Sequence, residues 1–324
     1  MTKAIRIHAY GGPEVMQWED VPTPEPGPGE ALVHHEAVGL NYIDVYFRTG
    51  LYKAPGLPAT IGMEAAGLVT AIGPGVTEVA VGDRVAYASA PIGAYATDRV
   101  MAADRLVKIP GGIDFKTAAA MMLQGMTAQY LIRRTYRVKS GDAILVHAAA
   151  GGVGLILCQW GKHLGATVIG VVSNEQKAEL ARAHGAAHII VGHSNLASEV
   201  KRITAGAMVP VVYDGVGKDT FMPSLDTLAP LGLMISFGNA SGPVPPLDLS
   251  LLSAKGSLYV TRPTLATYTA KRADLELTAR ELFEVVQSGA VKINVNQSFP
   301  LRDAASAHTA LESRKTTGST VLLP

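Results

Sequence analysis

Apolar segments divide the chain into a β-rich first part and a later part in which strands alternate with helices. Up to about residue 120, short apolar runs are separated by turns rich in proline and glycine, a pattern typical of β-strands. After Pro110-Gly111-Gly112 the apolar period becomes helical, which predicts a helix from Phe115 to about Arg134. The strands predicted in the first part are Ala31–Val38, Ala65–Ile72 and Arg84–Tyr87.

From Ile144 to about Val260, β-type apolar runs alternate with helical segments. This alternation indicates βαβ units and predicts a parallel, doubly wound sheet. The strands predicted in this part are Ile144–His147, Thr167–Val172, His188–Val191, Val211–Asp214, Leu233–Phe237 and Ser257–Val260.

After Arg262-Pro263 the pattern changes to a charged helix and then to shorter segments, which we interpret as a return to the first domain. The predicted elements are a helix at Ala270–Ser288, β-like segments at Val291–Val295 and Ser319–Leu323, and a helix near Arg302–Ser313. The predicted fold class is α/β. A β-rich domain comprises residues 1–124 and 262–324, and a doubly wound domain comprises residues 125–261.

A glycine-rich turn, Gly151–Gly154, follows a buried strand and precedes a helix, which is the context of a dinucleotide-binding turn. Gly151 allows a tight turn that a Cβ would block, and Gly152 lets backbone N–H groups approach a pyrophosphate. Gly154 lets the helix pack close to the strand, with its N-terminus facing the phosphates. The turn therefore predicts dinucleotide binding, and the alternative is a glycine turn that only packs.

Charge and cysteine content narrow the class of partner. Lysine and arginine number 28 against 27 aspartates and glutamates, which disfavours nucleic acid or an anionic membrane as the main partner. The single cysteine, Cys158, excludes an intramolecular disulfide and fits a reducing compartment. Since Met1–Val15 lacks the apolar core of a signal peptide, we expect a cytoplasmic protein.

Three segments of the chain resemble the motifs of a known family. They are Gly141–Lys162, Val38–Tyr52, and Gly62–Gly67 with its continuation at Gly82–Val85. On these residues the chain resembles the zinc-free quinone oxidoreductase/zeta-crystallin branch of the medium-chain dehydrogenase/reductase family, especially its bacterial NADPH-dependent members. The resemblance extends to Glu312-Ser313-Arg314. It implies a GroES-like catalytic domain built from both termini, a Rossmann NADPH-binding domain between them, and a homodimer.

The residues after Thr167–Val172 bear on the choice between NADPH and NADH. In a Rossmann fold, an acidic residue at this strand end holds the ribose 2′-hydroxyl of NAD. Here Ser173 follows the strand, and its hydroxyl and the Lys177 ammonium suit a 2′-phosphate. The resemblance implies NADPH, with Lys177 and Arg314 on that phosphate. Two alternatives stay open: Lys177 is an ordinary solvated helix lysine, or Glu175 is the acid that binds the ribose.

Two positions indicate that no metal is bound. Zinc-dependent members of the wider family hold zinc through a cysteine and through the histidine of a Gly-His-Glu motif, whereas this chain has Asn41 and Gly62-Met63-Glu64 there. An amide and a thioether are poor substitutes for thiolate and imidazole ligands. Without a Lewis acid, the substrate is expected to be intrinsically electrophilic, and a quinone fits that requirement.

Candidate pocket groups are an amide, two phenols and a thioether, because they combine hydrogen bonding with apolar walls. The pocket residues are Asn41, Tyr46, Tyr52 and Met63, and no catalytic acid is assigned. The residues expected at the coenzyme are Asn41, Tyr46, Thr127, Gly151, Gly152, Val153, Gly154, Ser173, Lys177, Val216, Phe237, Gly238, Asn239 and Arg314. Relatives often have a tyrosine where Gly192 stands, and His193 is a candidate replacement.

Other side chains near these positions are expected to be structural. A single tyrosine such as Tyr46 is also explained as a core aromatic, and Asp44 is expected to cap a helix rather than to transfer a proton. We expect Cys158 to be a small buried side chain, and the His147 imidazole to be held by backbone hydrogen bonds at a strand end.

The predicted function is metal-free hydride transfer from NADPH to a quinone in a cleft between the two domains. A second possibility is reduction of the activated double bond of an enone or alkenal at the same coenzyme site. A third belongs to another class: a weakly catalytic NADPH-binding protein with a structural, sensing or RNA-binding role. The near-neutral charge disfavours RNA binding.

Replacing Tyr52 tests how much a single phenol hydroxyl contributes to the rate of quinone reduction. We expect Tyr52→Phe to lower turnover with a good quinone by no more than about tenfold, which is below the usual effect of removing an oxyanion donor. Steady-state kinetics of coenzyme oxidation measure this ratio. A loss of about a thousandfold would instead identify Tyr52 as an obligatory acid.

Overall fold

The computed structural model describes residues 1–88 and 90–324, and its elements follow the apolar segments of the sequence. The strands are β1 (Thr2–Ile7), β2 (Met16–Val21), β3 (Glu30–Leu40), β4 (Ala59–Thr60), β5 (Glu64–Ile72), β6 (Arg84–Ala88), β7 (Asp98–Ala102), β8 (Val107–Lys108), β9 (Ala143–His147), β10 (Thr167–Val172), β11 (His188–Val191), β12 (Val209–Asp214), β13 (Leu228–Ser236), β14 (Tyr259–Thr261), β15 (Val295–Pro300) and β16 (Ser319–Leu323). The helices are α1 (Tyr42–Thr49), α2 (Phe115–Tyr130), α3 (Gly152–His163), α4 (Glu175–Ala183), α5 (Leu196–Ile203), α6 (Phe221–Leu225), α7 (Ser250–Ala254), α8 (Leu265–Tyr268), α9 (Arg272–Gln287) and α10 (Ala304–Glu312). Within the described ranges, no helix has the length and apolarity needed to cross a membrane.

The chain forms two units, and the first contains both termini. The first unit comprises Met1–Met126, Tyr268–Gln287 and Ile293–Pro324, and the second comprises Thr127–Thr267 and Ser288–Lys292. The predicted boundaries at residues 124 and 262 lie close to these divisions without coinciding with them. Both divisions fall inside helices, the first between Met126 and Thr127 in α2 and the second between Thr267 and Tyr268 at the end of α8.

The second unit contains the predicted doubly wound parallel sheet, with strand order β11-β10-β9-β12-β13-β14. β10 and β11 have the predicted bounds, whereas β13 begins five residues before the predicted Leu233 and ends at Ser236. The last strand was predicted from Ser257 but begins at Tyr259. Ser257 has a φ of 56°, in the left-handed region, so its backbone cannot continue a strand.

The first unit is built on two sheets that share a buried apolar core. One has the order β15-β16-β3-β5-β6-β8, with β7 also paired to β3, and a smaller sheet has the order β2-β1-β4. The long strand β3 shows the alternation expected of a half-exposed strand. Its neighbouring histidines, His34 and His35, are exposed and buried respectively, as opposite faces require.

The β-like segment predicted at Val291–Val295 is wrong, because the strand runs from Val295 to Pro300. A side chain from α3 accounts for the difference. Gln159 Nε2 donates to the carbonyl of Lys292 at 3.0 Å, and the N–H of Lys292 donates to Gln159 Oε1 at 2.9 Å. These two bonds use the backbone groups that a sheet ladder would need.

Gly154 sets the distance between α3 and the turn that follows β9. A Cβ at this position would lie 2.2 Å from the carbonyl oxygen of Ala148 and 2.8 Å from Ala149 Cα. Backbone atoms cannot move aside as a side-chain end can. The tight approach predicted for this glycine is therefore present in the fold.

Two alanine substitutions in the same helix test this approach. We expect Gly154→Ala to lower the free energy of unfolding by about 1–3 kcal/mol, the usual cost of overpacking. Gly161→Ala is the matched control, since its Cβ would meet only the side-chain ends Val168 Cγ2 at 2.9 Å and Ile144 Cδ1 at 3.0 Å. Urea unfolding measures both variants. An equal loss in the two would contradict the proposed backbone constraint.

Candidate active site

Apart from Thr127, the predicted coenzyme residues of the second unit lie at or just after the carboxyl ends of four strands. The glycine turn follows β9, Ser173 follows β10, Val216 lies after β12, and Phe237-Gly238-Asn239 follows β13. β9 and β12 are adjacent, with β10 and β13 on their outer sides. The strand order reverses between β9 and β12, and ligands of open α/β sheets bind at such a point.

The turn after β9 presents backbone N–H groups and little else. Ala148 has a φ of 50°, and the N–H of Gly151 donates to the carbonyl of Ala148 at 2.8 Å. Gly151 then caps α3, whose first N–H groups, at Gly152, Val153 and Gly154, have no acceptor within the helix. Because Gly151 and Gly152 carry no side chains of their own, a pyrophosphate can approach these donors closely.

The turn after β10 combines a hydroxyl, a helix N-terminus and an ammonium group. Asn174 caps α4 by accepting from the N–H of Lys177 at 3.0 Å. Ser173 is exposed immediately before this cap, and Lys177 is half-buried in the first turn of the helix. Glu175 also lies in that first turn and is exposed. The alternative that Glu175 binds the ribose therefore stays a prediction beside that of Ser173 and Lys177.

Asp214 connects the loops after β12 and β13: its buried carboxylate binds the first loop, and its backbone carbonyl binds the second. Asp214 Oδ1 accepts from the N–H of Val216 at 2.7 Å, and the N–H of Phe237 donates to the Asp214 carbonyl at 2.8 Å. Gly238 packs so closely on Gly215 that a Cβ there would lie 2.3 Å from the Gly215 carbonyl oxygen. The predicted contacts Val216 and Phe237 therefore belong to one packed substructure.

Sequence reasoning missed Arg262, the residue after β14, which binds backbone groups of this substructure. Its Nη1 donates to the carbonyl of Gly238 at 2.9 Å and to the carbonyl of Ser236 at 3.1 Å. Asn239, in the amide orientation that its neighbours require, accepts from Arg262 Nη2 at 3.1 Å. An arginine next to Pro263, at the end of the doubly wound pattern, could have drawn attention to this position. Its partners could not be inferred from local pattern, because they lie about 25 residues away in the sequence.

His147 and Cys158 are structural, although the partner predicted for His147 is wrong. The imidazole bonds a side chain, Ser224 Oγ at 2.7 Å, and not the backbone. Since the Ser224 hydroxyl donates to the carbonyl of Thr220 at 2.6 Å, His147 Nε2 is the donor, and burial lowers the pKa of His147. Burial raises the pKa of Cys158 to about 12, so its thiol stays protonated.

The predicted pocket phenols lie together in the first unit. The rings of Tyr46 and Tyr52 meet edge to face with centroids 5.3 Å apart, and the N–H of Tyr52 donates to the carbonyl of Tyr46 at 3.0 Å. The ring of Phe47 also meets that of Tyr52 edge to face, with centroids 5.9 Å apart. Tyr46 is only 8% exposed, so it also has the core role that we gave as its alternative.

Asn41 is held at the N-terminus of α1 by a buried polar network. Its Nδ2 lies 2.6 Å from Glu64 Oε2, and its Oδ1 lies 3.1 Å from Gln124 Nε2. Gln124 Oε1 in turn lies 2.7 Å from Ser319 Oγ. Sequence reasoning named Asn41 but missed Gln124 and Ser319, because neither belongs to a local motif.

The network around Asn41 does not fit a zinc site. Both ends of the Asn41 amide have partners, and the second oxygen of Glu64 accepts from the N–H of Leu123 at 2.7 Å. Met63 contributes only a buried thioether. Over residues 1–88 and 90–324, no group of three His, Cys, Asp or Glu side chains is arranged to hold a metal. The donor set suits hydrogen bonding rather than a divalent cation.

Asp44 caps α1, as predicted, because its Oδ2 accepts from the N–H of Asn41 at 2.9 Å. The same oxygen accepts from the Tyr95 hydroxyl at 3.1 Å. Burial raises the pKa of Asp44 to about 7 and that of Glu64 to about 8, against the effect of their hydrogen bonds. The two carboxyl groups therefore lie in an environment that disfavours their charged forms.

A fixed direction of hydrogen bonding connects Asp44 to a buried guanidinium. Arg48 Nη1 lies 3.2 Å from His308 Nδ1, and His308 Nε2 lies 3.0 Å from the Tyr95 hydroxyl. A guanidinium only donates, so His308 Nδ1 accepts, Nε2 donates to Tyr95, and Tyr95 donates to Asp44. Arg48 also binds Glu312 with two bonds of 2.8 Å. Burial, with Arg48 beside it, lowers the pKa of His308 to about 3, which keeps the imidazole neutral.

The remaining predicted residues are distributed between the two units. Thr127 belongs to the second unit and is 7% exposed on α2, whereas Asn41, Tyr46 and Met63 belong to the first. Arg314 is exposed after α10 in the first unit, with a φ of 60°. The predicted contacts of Thr127 and Arg314 with a coenzyme stay predictions.

Two family models match the chain: the alcohol dehydrogenase GroES-like domain over residues 27–138 and the zinc-binding dehydrogenase over residues 152–279. The quinone oxidoreductase of Pseudomonas aeruginosa is 56% identical over 100% of both chains. A 2-haloacrylate reductase from a Burkholderia species is 44% identical over 100% of this chain and 99% of its own. The crystal structure of Escherichia coli quinone oxidoreductase complexed with NADPH superimposes with a TM-score of 0.97, at 47% identity over 100% of both chains.

Proposed function

The chain belongs to the quinone oxidoreductase branch of the medium-chain dehydrogenase/reductase family, and we propose that it reduces quinones with NADPH. One observation carries this proposal. The strand ends of the second unit offer a glycine turn at a helix N-terminus for a pyrophosphate and, one strand away, Ser173 and Lys177 for a further phosphate. An NADP-type coenzyme needs both sites, because its 2′-phosphate is the group that NAD lacks.

NADPH, when bound, supplies the hydride, and the protein binds and orients it. The N–H groups at the start of α3 hold the pyrophosphate, and the N-terminus of α4 favours the negative 2′-phosphate. The Ser173 hydroxyl donates to that phosphate, and the Lys177 ammonium neutralises part of its charge. Phe237 and Gly238 offer backbone groups to the nicotinamide carboxamide, and the family resemblance adds Arg314 as a proposed partner of the 2′-phosphate.

On the substrate side, the proposed pocket residues supply hydrogen bonds and apolar walls without a formal charge of their own. Asn41 and the phenols of Tyr46 and Tyr52 contact the quinone or the nicotinamide, and Met63 adds apolar surface. A quinone accepts a hydride readily because the added charge spreads over the ring and both oxygens. The pocket therefore acts mainly by orientation and electrostatic support.

Reduction of an activated carbon–carbon double bond is the second candidate, favoured by the identity of 44% to the 2-haloacrylate reductase. Parallel assays of NADPH oxidation with a benzoquinone, a 2-alkenal and a 2-haloacrylate separate the two. The quinone proposal expects the largest kcat/KM with the benzoquinone. NADPH binding without turnover of any acceptor would instead indicate a sensing or structural protein.

We further propose a cytoplasmic homodimer joined along β14. This strand is an edge of the parallel sheet, where backbone groups are open to pairing with another strand. Two of its three side chains are large and accessible, Tyr259 at 60% and Val260 at 37% exposed. A second copy that pairs here would continue the sheet and cover both side chains.

The cofactor proposal predicts a specific effect at Lys177. We expect Lys177→Gln to raise the Kd for NADPH about tenfold and to leave the Kd for NADH within about twofold, since only NADPH carries the charge that Lys177 meets. Lys201→Gln, an exposed lysine of α5, is the matched control. Fluorescence titration gives both constants. If Glu175→Ala instead abolished a preference for NADH, Glu175 would be the ribose-binding acid.

The dimer proposal predicts that a charge on β14 separates the protomers. We expect Val260→Lys to convert a dimer of the unaltered protein into a monomer, because an edge lysine opposes strand pairing. Val81→Lys, at an apolar position 62% exposed in the first unit, should leave the dimer intact. Sedimentation equilibrium measures the masses. A dimer that persists in Val260→Lys would rule out β14 as the interface.

A further inference from the structure

The hydrogen bonds around Asn41 can run in two directions. Asn41, Glu64, Gln124 and Ser319 are each at most 8% exposed, so their polar atoms depend on one another for partners. The nitrogen and oxygen of a side-chain amide have nearly the same size, and either can occupy either position. The direction is therefore decided by where the protons are.

The first direction applies when Glu64 is ionised. Asn41 Nδ2 then donates to Glu64, and Gln124 Nε2 donates to Asn41 Oδ1. The Ser319 hydroxyl faces two acceptors, Gln124 Oε1 at 2.7 Å and the carbonyl of Ala120 at 3.1 Å. It has one proton for both, so one pair of oxygens is left in contact without a hydrogen between them.

The second direction applies when Glu64 is protonated. The Glu64 hydroxyl donates to Asn41 Oδ1, Asn41 Nδ2 donates to Gln124 Oε1, and Gln124 Nε2 donates to Ser319 Oγ. The Ser319 hydroxyl is then free to donate to Ala120, and every contact has one donor and one acceptor. The 2.6 Å separation between Glu64 and Asn41 is usual for an O–H donor and short for an N–H donor.

We propose that Glu64 carries a proton that fixes the Asn41 amide, and that Glu64, Gln124 and Ser319 are positioning residues for Asn41. The inference rests on the proposed function in one respect only, that Asn41 contacts the substrate or the nicotinamide. Loss of the proton turns both amides, and Asn41 then offers the opposite pattern of donor and acceptor to its surroundings. The protonation state of Glu64 thus determines whether Asn41 directs its N–H or its carbonyl group toward a given neighbour.

The surroundings of Glu64 favour this proton. Asp44 from α1 adds a like charge, and the buried phenols of Tyr87 from β6 and of Tyr95 lie near enough to interact electrostatically with the carboxyl group. From α2, the N–H of Leu123 donates to Glu64 Oε1 at 2.7 Å, which leaves Oε2 to carry the proton. Burial, the largest effect, raises the pKa of Glu64 to about 8, which favours the protonated form.

Gly39 keeps this arrangement tight. A Cβ there would lie 2.3 Å from both Glu64 Oε2 and the carbonyl oxygen of Ala119. The backbone of β3 therefore closes directly over the proposed proton. Water has no room to enter on this side and supply an alternative partner.

Neutron diffraction tests the proposal without reference to activity, because nitrogen, oxygen and deuterium scatter neutrons differently. Crystals of the full chain would be measured well below and well above the pKa of Glu64. We expect deuterium on Glu64 Oε2 and the Asn41 carbonyl toward Glu64 at the lower pH, with both amides turned at the higher pH. An ionised Glu64 at the lower pH, or amides that keep one orientation, would overturn the proposal.

Kinetic variants test the consequence for the site. Glu64→Gln places an N–H donor where the proton lies, so its pH profile of kcat/KM with a benzoquinone should lack the transition of the unaltered protein near the Glu64 pKa. Ser319→Ala removes two hydrogen bonds when Glu64 is protonated, the one from Gln124 Nε2 and the one to the Ala120 carbonyl. It removes only one when Glu64 is ionised, because the single hydroxyl proton then serves one acceptor. The transition should therefore move down by about 0.7 pH units, the equivalent of one hydrogen bond.

Thr320→Ala is the matched control on the same strand, because its hydroxyl bonds Gln297 Oε1 at 3.1 Å and not the network. It should keep the transition of the unaltered protein. A transition that survives in Glu64→Gln, or that Ser319→Ala and Thr320→Ala move equally, would count against the positioning role. If no acceptor is turned over, the proposed function fails, and the neutron result still decides the protonation of Glu64.

Discussion

Hydrogen bonding of buried ionisable groups is the constraint on which the first unit depends. Glu64 and Asp44 have no exposed surface, and an unpaired buried carboxylate costs several kcal/mol. Each is held by backbone donors, Leu123 for Glu64 and Asn41 for Asp44. The start of α1, the middle of α2 and the first residue of β5 are therefore fixed around two carboxyl groups. Asn41 is held in place by both, through its N–H to Asp44 and its side-chain amide to Glu64.

The second unit achieves its precision by the opposite means, through backbone rather than side chains. At Gly154 and Gly238 the backbone packs directly against neighbouring backbone. This packing fixes N–H and carbonyl groups at the strand ends, where open α/β sheets bind dinucleotide coenzymes. The proposed pocket supplies amide, phenol and thioether groups, and the resemblance puts Asn41 and Met63 at positions where zinc-dependent members of the family have ligands. This division suits a reaction in which the coenzyme carries the chemistry and the acceptor is already electrophilic.

The coenzyme side could be predicted because its signals are local. A strand, a glycine turn and a helix stand within about twenty residues, and the sequence pattern alone placed β10 and β11 with their observed bounds. The cap formed by Asp44 was equally local, since its partner Asn41 is three residues away. Local pattern failed where a distant group intervened, as Gln159 does when it occupies the backbone of Lys292 from 133 residues away.

Sequence by itself determined the alternation of strands and helices, the glycine turn, and the absence of thiolate and imidazole at Asn41 and Met63. Only the tertiary structure decided which groups surround Asn41, because Gln124 is 83 residues from it and Ser319 lies a further 195 residues along the chain. A buried polar side chain must find a partner, but neither periodicity nor composition says which one. That choice is made by packing, which brings together strands and helices that share no local pattern.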